Sequence, residues 1–483
     1  MLGTVSLVLF FLILLASIRK WLPQDVLPLQ SVLVLGSLLL LVLALVFGQP
    51  FRPAQLFAAT TLHPITATIA GFLLAGAVET AGGFAAAGRI LSRLGKGFIG
   101  LSGTVLLLVN IPTIFAMPCG RIWAAALIPT AVMFGTELAE QKDGRRLTPI
   151  IVFGLIINAA ASCGPSPLGG IGMMGEGTAG FQLHAFSNPQ QMATMIITLL
   201  AMIWVGTLYK FEVNPKSLLN RGDAAQKLPE TAYFAFLLYV LGLAGVFIFR
   251  PPIPIQAVVL AMTILVMIAG NVGLRSLMAG IILHPVTAMV AGFMMAGALV
   301  ITGGFETLAH ILSWLATHTP LGYIGVSVLL IYLPVIFPMP CGRVIAAALL
   351  PGVIMFGQQV ARVTGHPSSL PALLVGFILC CAASCAPSPL GGIGSIGEGN
   401  LGLRGGASTK PLQLSILMDV PVAALIVTYV GLSTDLLRID ELCLALGLAI
   451  LCGVCTNVLL GYKFYKPGGI LGGLIVAGLI MVL

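Results

Sequence analysis

Charged side chains are nearly missing from this sequence. Asp, Glu, Lys and Arg make up 8% of its 483 residues, against 58% hydrophobic ones, where a soluble chain carries about 25% charged residues. So few charges cannot cover a water-facing surface, which excludes a soluble globular fold and implies a polytopic membrane protein. Histidine is sparse too, at six residues. No His/Asp/Ser or metal-ligand constellation falls on one face, so a membrane-embedded enzyme has no candidate machinery; the expectation is a non-enzyme without a resident cofactor. The nine cysteines are odd in number and lie almost all in apolar segments, which implies no disulfide framework. Acidic residues number 15 against 23 basic ones. The resulting charge of +8 would suit nucleic acid, but the positive residues lie in short loops between apolar runs, where they carry topology information.

Apolar runs are what the chain has in abundance, with a mean hydropathy of +1.09. Runs of spanning length cover 4–19, 28–48 and 62–82. The first could pass for a signal peptide, but Arg19 and Lys20 follow its apolar core instead of preceding it, and it has a counterpart later in the chain. It is read as a membrane helix with its N-terminus outside. An amphipathic piece, Phe84 to Gly97, carries Arg89, Arg93 and Lys96 and reads as interfacial. Two apolar arms, 98–116 and 122–137, are joined at Met117-Pro-Cys-Gly-Arg121. Helix 148–162 then runs into Ser162-Cys-Gly-Pro-Ser-Pro-Leu-Gly-Gly-Ile-Gly172, where prolines and glycines forbid a continuous helix.

Beyond a polar linker the order repeats. Leu62-His-Pro-Ile-Thr66 answers to Leu283-His-Pro-Val-Thr287, Gly82-Gly-Phe84 to Gly303-Gly-Phe305, and Pro118-Cys-Gly-Arg121 to Pro340-Cys-Gly-Arg343. Ser162-Cys-Gly-Pro-Ser-Pro-Leu-Gly-Gly170 answers to Ser384-Cys-Ala-Pro-Ser-Pro-Leu-Gly-Gly392, and Gly175-Glu-Gly177 to Gly397-Glu-Gly399. The reading is an all-α polytopic membrane protein of two repeats. Repeat 1 spans 1–208, with a hairpin at 98–137 and a broken helix at 148–180; a linker covers 209–230. Repeat 2 spans 231–430, with its hairpin at 320–357 and broken helix at 370–402, and an unmatched apolar pair at 431–483 reads as an appendage. Five crossings per repeat plus a re-entrant hairpin make the second repeat inverted. Arms of 19 and 16 residues leave full crossing open. Placing the linker in the cytoplasm of a plasma (inner) membrane puts seventeen basic residues inside and four outside, with Arg121 and Arg343 in the hairpins. That bias agrees with inversion.

The order of hairpin and broken helix in each repeat resembles the ion transporter superfamily, which includes divalent-anion/sodium symporters and the membrane subunits of TRAP transporters. The resemblance covers about 1–430. It implies a secondary transporter whose substrate sits between hairpin tips and helix breaks.

The residues themselves suggest candidates for that site. An ionisable residue inside an apolar run is a functional candidate. Arg121 and Arg343 each offer a fork of donors to a carboxylate, or they pair structurally with Glu176 and Glu398. Half-helix N-termini attract anions and unwound carbonyls hold cations; here Gly169, Gly170, Gly391 and Gly392 leave backbone groups uncovered, and Ser162, Ser166, Ser384 and Ser388 add hydroxyls. Helix kinks bridged by neighbours are the plainer alternative. Cys119, Gly120, Cys341 and Gly342 complete the tips; the repeated cysteines suit small-residue packing better than a soft-metal path. Glu79 and Asp419 break the symmetry and are candidate carriers of Na+ or H+, with Glu176 and Glu398 beside them. The expected function is cation-coupled symport of a small organic anion, with lipid and that anion as partners, no nucleic acid, and a homodimer left open. A cation/proton antiporter is the alternative.

Overall fold

Long runs of Leu, Val, Ile and Ala become helices because a backbone in apolar surroundings has to satisfy its own hydrogen bonds. The computed structural model describes residues 2–18, 29–56, 62–95, 97, 99–115, 120–139, 144–165, 170–181, 187–209, 228–249, 255–280, 284–336, 342–366, 369–387, 393–403, 407–418 and 438–482. Among these the secondary structure is all-helical, without a strand.

The first half holds α1 (Leu2–Ile18), α2 (Leu29–Val46), the short α3 (Pro53–Leu56), α4 (Leu62–Thr80) and α5 (Gly83–Gly95). Then come α6 (Gly100–Phe115), α7 (Gly120–Ala139), α8 (Gly144–Ala161), α9 (Ile171–Ala179) and α10 (Ser187–Trp204), the last continued by a π-helical turn, Val205–Tyr209. The second half runs through α11 (Glu230–Phe249), α12 (Ile255–Gly270), α13 (Leu274–Gly280), α14 (His284–Ile301) and α15 (Gly304–His318). It continues with α16 (Gly322–Ile336), α17 (Gly342–Thr364), α18 (Ser369–Ala383), α19 (Ile393–Leu401) and α20 (409–418). Last come α21 (Arg438–Leu459) and α22 (Pro467–Val482).

Sharp corners separate α4 from α5 and α14 from α15. Gly82 and Gly303 sit there at φ 78° and 72°, a left-handed conformation that glycine adopts without a steric penalty. The bend between α14 and α15 is 76°. One face of α5 is buried through Phe84, Ala86, Ala87 and Leu91, and one face of α15 through Phe305, Leu308 and Leu312.

Packing crosses between the halves. α1 lies on α15 and α11 on α5; α2 lies on α14 and α12 on α4. Gly297 of α14 comes so near α3 that a Cβ there would stand 2.1 Å from the Leu56 carbonyl oxygen. The broken-helix segments cross in the same way, α9 packing on α17 and α18, and α19 on α7 and α8. Helices α8 and α18 form the centre, with Ile151 to Ile157 and Leu373 to Ala383 buried on every face. An all-round apolar helix is stable only when neighbours cover it completely.

The periphery is apolar as well. Leu35, Val42 and Leu45 on α2, Leu237 and Leu241 on α11, and Ile264, Leu265 and Ile268 on α12 are all exposed. Apolar faces of this extent belong against lipid, so the helices are those of a membrane-type protein. By length and composition, Gln190–Thr207 and Ile345–Thr364 are long enough to cross among the described residues; other apolar helices there run 10–17 residues. The expected hairpin arms differ in reach. α6 has 16 residues, about 24 Å at 1.5 Å per residue, short of a hydrocarbon core of about 30 Å. α17 has 23 and runs to Thr364, seven positions past the expected hairpin end at 357.

The C-terminal pair packs closely on the rest of the described helices. Gly468, Gly469, Gly472 and Gly473 of α22 fit between α6 and α21: a Cβ on Gly472 would stand 2.4 Å from the Gly103 Cα, and one on Gly473 2.1 Å from the Ala449 carbonyl oxygen. Small residues permit such backbone-to-backbone approach between apolar helices.

Candidate functional site

Each arginine-bearing tip is docked on the broken helix of its own half. Gly120 opens α7 and Gly342 opens α17. The Gly120 N–H donates to Cys163 Sγ at 3.0 Å and the Gly342 N–H to Cys385 Sγ at 2.9 Å. No side chain fits at either glycine. A Cβ would lie 1.7 Å from the Ala159 carbonyl oxygen in the first case and 1.6 Å from that of Cys381 in the second. The first turn of the second arm thus presses onto the last turn of α8 or α18, with the arginine next in sequence. Arg343 is only 2% exposed; Arg121 is the second residue of α7, as Arg343 is of α17. Cys163 and Cys385 act here as hydrogen-bond acceptors, a packing role.

The described residues on either side of each break are hydrogen-bonded to one another. Ile171 N–H donates to the Cys163 carbonyl at 2.9 Å and Gly172 N–H to that of Gly164 at 2.7 Å; Ile393 and Gly394 repeat this to Cys385 at 3.0 Å and Ala386 at 2.9 Å. The first two donors of each half-helix are therefore occupied, so Ile171, Gly172, Ile393 and Gly394 do not offer free N–H groups; Leu168, Gly169 and Leu390 to Gly392 lie outside the described residues. Gly170 is the extended N-cap of α9. Ser162 and Ser384 are fully buried, and their hydroxyls donate to the Ala159 and Cys381 carbonyls at 2.9 and 2.8 Å. With its proton so committed, each oxygen faces any ligand as an acceptor. Cys119, Cys341, Ser166, Ser388, Gly169, Gly391, Gly392 and Asp419 lie outside the described residues.

The acids separate by environment. Glu176 and Glu398 are 2% and 4% exposed. Glu398 Oε1 accepts the Ser408 N–H at 2.7 Å and the Ser408 hydroxyl, which ties α19 to the start of α20. Glu79 is exposed at the end of α4. Because α9 packs on α17 and α19 on α7, Glu176 belongs to the helix lying on that of Arg343, and Glu398 to the one lying on that of Arg121.

One set of residues escaped the sequence reading. Asn158, fully buried in α8, donates from Nδ2 to Asn110 Oδ1 at 3.0 Å and Thr198 Oγ1 at 2.9 Å. Its Oδ1 accepts the Thr113 N–H at 3.1 Å and Oγ1 at 2.8 Å, and Gln191 Nε2 donates to the Thr113 carbonyl at 3.0 Å. In the repeat register the second half has Cys380, Tyr332 and Val335 where the first has Asn158, Asn110 and Thr113. Polar residues within apolar helices, unmatched across the repeat, were the available signal. Asn158→Cys, copying the other half, would leave several buried partners unbonded. It is expected to cost about 2–4 kcal/mol, read as a lower unfolding temperature in detergent; an unchanged temperature would refute the network's structural weight.

Nearby, Phe84, Phe115, Trp123 and Tyr239 form an aromatic cluster, with Trp123 stacked on Phe115 at 6.0 Å and edge-on to Tyr239 at 5.9 Å. Trp123 Nε1 and the Tyr239 hydroxyl are buried without a hydrogen-bond partner, as are both polar atoms of the Gln190 amide. In the second half a cavity of about 300 Å³ lies between α16 and α20, lined by Val335, Ile336, Lys410, Gln413, Leu414 and Leu417.

The described residues are those of a helical protein of membrane type, with charged and polar groups buried close to the helix breaks. Comparison with known protein families finds no match, and comparison with curated proteins finds none either.

Proposed function

We propose that this protein is a secondary active transporter that moves a small organic anion, a carboxylate, together with Na+ or H+ by alternating access. The observation that carries the reading is Arg343, 2% exposed at the first turn of α17 and next to a glycine seated on a helix break. An ionisable side chain so placed in an apolar interior is a functional candidate. Its planar fork suits a carboxylate. The serines at both breaks are the acceptor oxygens this reading offers to a coupling cation. The resemblance to the ion transporter superfamily points the same way. Buried Glu176 and Glu398 favour a second reading, cation/proton antiport, although the Ser408 contacts give Glu398 a structural task. Uptake of a labelled organic-acid panel into proteoliposomes, with sodium and pH gradients imposed separately, decides between them. Gradient-driven uptake of an acid supports symport; cation-for-proton exchange without acid uptake supports the alternative.

The two halves have opposite orientation in this reading, with the N-terminus outside and the 209–230 linker in the cytoplasm. Arg93 on α5 and Trp314 on α15 are exposed, so Arg93→Cys and Trp314→Cys are suitable reporters. Cys163 and Cys385 are buried and stay in place, since both hold tip glycines. An impermeant maleimide is expected to label the two reporters from opposite sides; labelling from one side sinks the inversion.

A further inference from the structure

The amide of Gln190 points to the chemistry of the ligand. Gln190 is fully buried on α10, and neither Oε1 nor Nε2 has a hydrogen-bond partner. Its neighbour Gln191 is bonded to Thr113, and the Gln190 carbonyl accepts the Thr194 hydroxyl at 2.8 Å, so only the side chain is unsatisfied. A Cβ built on Gly172 would stand 2.9 Å from Gln190 Oε1, which puts the amide against the first turn of α9 at the break. That half-helix also packs on α17, whose second residue is Arg343. In the repeat register Gln190 answers to Leu412, and a Cβ on Gly394 would stand 3.4 Å from Leu412 Cδ1. The same seat therefore takes an apolar side chain in the second half, and packing alone does not call for an amide in the first.

An unbonded buried amide is destabilising in both its donor and its acceptor. A bare carboxylate would satisfy Nε2 alone, and a cation would satisfy Oε1 alone. A hydroxyl satisfies both, donating to Oε1 while accepting from Nε2. We propose that Gln190 is a specificity-determining residue that binds a hydroxyl of the substrate, making the preferred anion a hydroxy-carboxylate. This rests on the organic-anion reading above. A site built to bond a hydroxyl discriminates strongly against an analogue lacking it, because its own polar group is then left unpaired.

The test uses the full-length protein in proteoliposomes and three pairs of probes: malate with succinate, lactate with propionate, and citrate with tricarballylate. Wild type is expected to prefer the hydroxy member of at least one pair by about tenfold or more in apparent affinity, which corresponds to about 1.4 kcal/mol. Gln190→Leu, copying Leu412, is expected to bring that ratio to within about twofold without weakening the deoxy member. Should Gln190→Leu not fold, Gln190→Met keeps the length, removes both polar atoms and must give the same collapse. A wild-type ratio in the folded variant overturns the proposal, and so does equal binding of both members by wild type; each leaves the organic-anion reading standing. Binding of none of the six acids removes that reading and this inference together.

Discussion

Alanine in place of Gly342 is expected to abolish transport and to remove most of the folded protein. The added Cβ would stand 1.6 Å from the Cys381 carbonyl oxygen and 2.5 Å from its carbon, both backbone atoms of α18. No rotamer change relieves a backbone clash, so α17 has to lift off the break and lose the Gly342 to Cys385 hydrogen bond. Its loss of stability belongs with the exceptional single-site effects, about 4 kcal/mol or more. Gly120→Ala is expected to behave alike, with the Ala159 carbonyl oxygen 1.7 Å away. Gly447→Ala is the control, since nothing lies within 4 Å of a Cβ there. Monodispersity and unfolding temperature in detergent are the readouts. If Gly342→Ala proves as stable as Gly447→Ala, the tip is not seated on the break.

Substitution of the buried arginine is expected to have the second-largest effect. Arg343→Lys retains the charge but loses the bidentate fork. Charged hydrogen bonds contribute about 1.5–3 kcal/mol each, so affinity for the transported anion should fall about tenfold or more while the protein still folds. Arg121→Lys is expected to do the same from the other half. If Arg343 serves only to neutralise an acid, the compensating change follows the crossed packing: Arg343→Gln with Glu176→Gln should then restore folding and affinity together. Normal affinity in that double variant would move the anion site elsewhere and favour antiport.

Much of this was legible before any coordinates. Gly120-Arg121 and Gly342-Arg343 stand at the starts of α7 and α17, and α8 and α18 end just before Ser162-Cys-Gly-Pro165 and Ser384-Cys-Ala-Pro387, where a proline stops a helix. Glycine-rich sequence signals uncovered backbone, but whether Ile171 and Gly172 offer their N–H groups depends on where Cys163 and Gly164 turn, and they turn back to accept them. The Asn158 network and Gln190 were passed over because a single polar residue in an apolar helix carries no periodic signal.

Apolar runs and proline and glycine breaks are properties of neighbouring residues, so the sequence by itself determined that the described residues are helical and apolar and where many of these helices stop. Which helix covers which was decided only in the tertiary structure. The crossing of α9 onto α17 and α19 onto α7, the wedging of α22 beside α6, and the partners of Asn158 all join residues far apart in the chain. The physical reason is that an apolar helix packs on any apolar face equally well by composition. Close backbone approach at Gly120, Gly342 and Gly472, and hydrogen bonds to buried polar atoms, select one face among many, and both depend on three-dimensional neighbours.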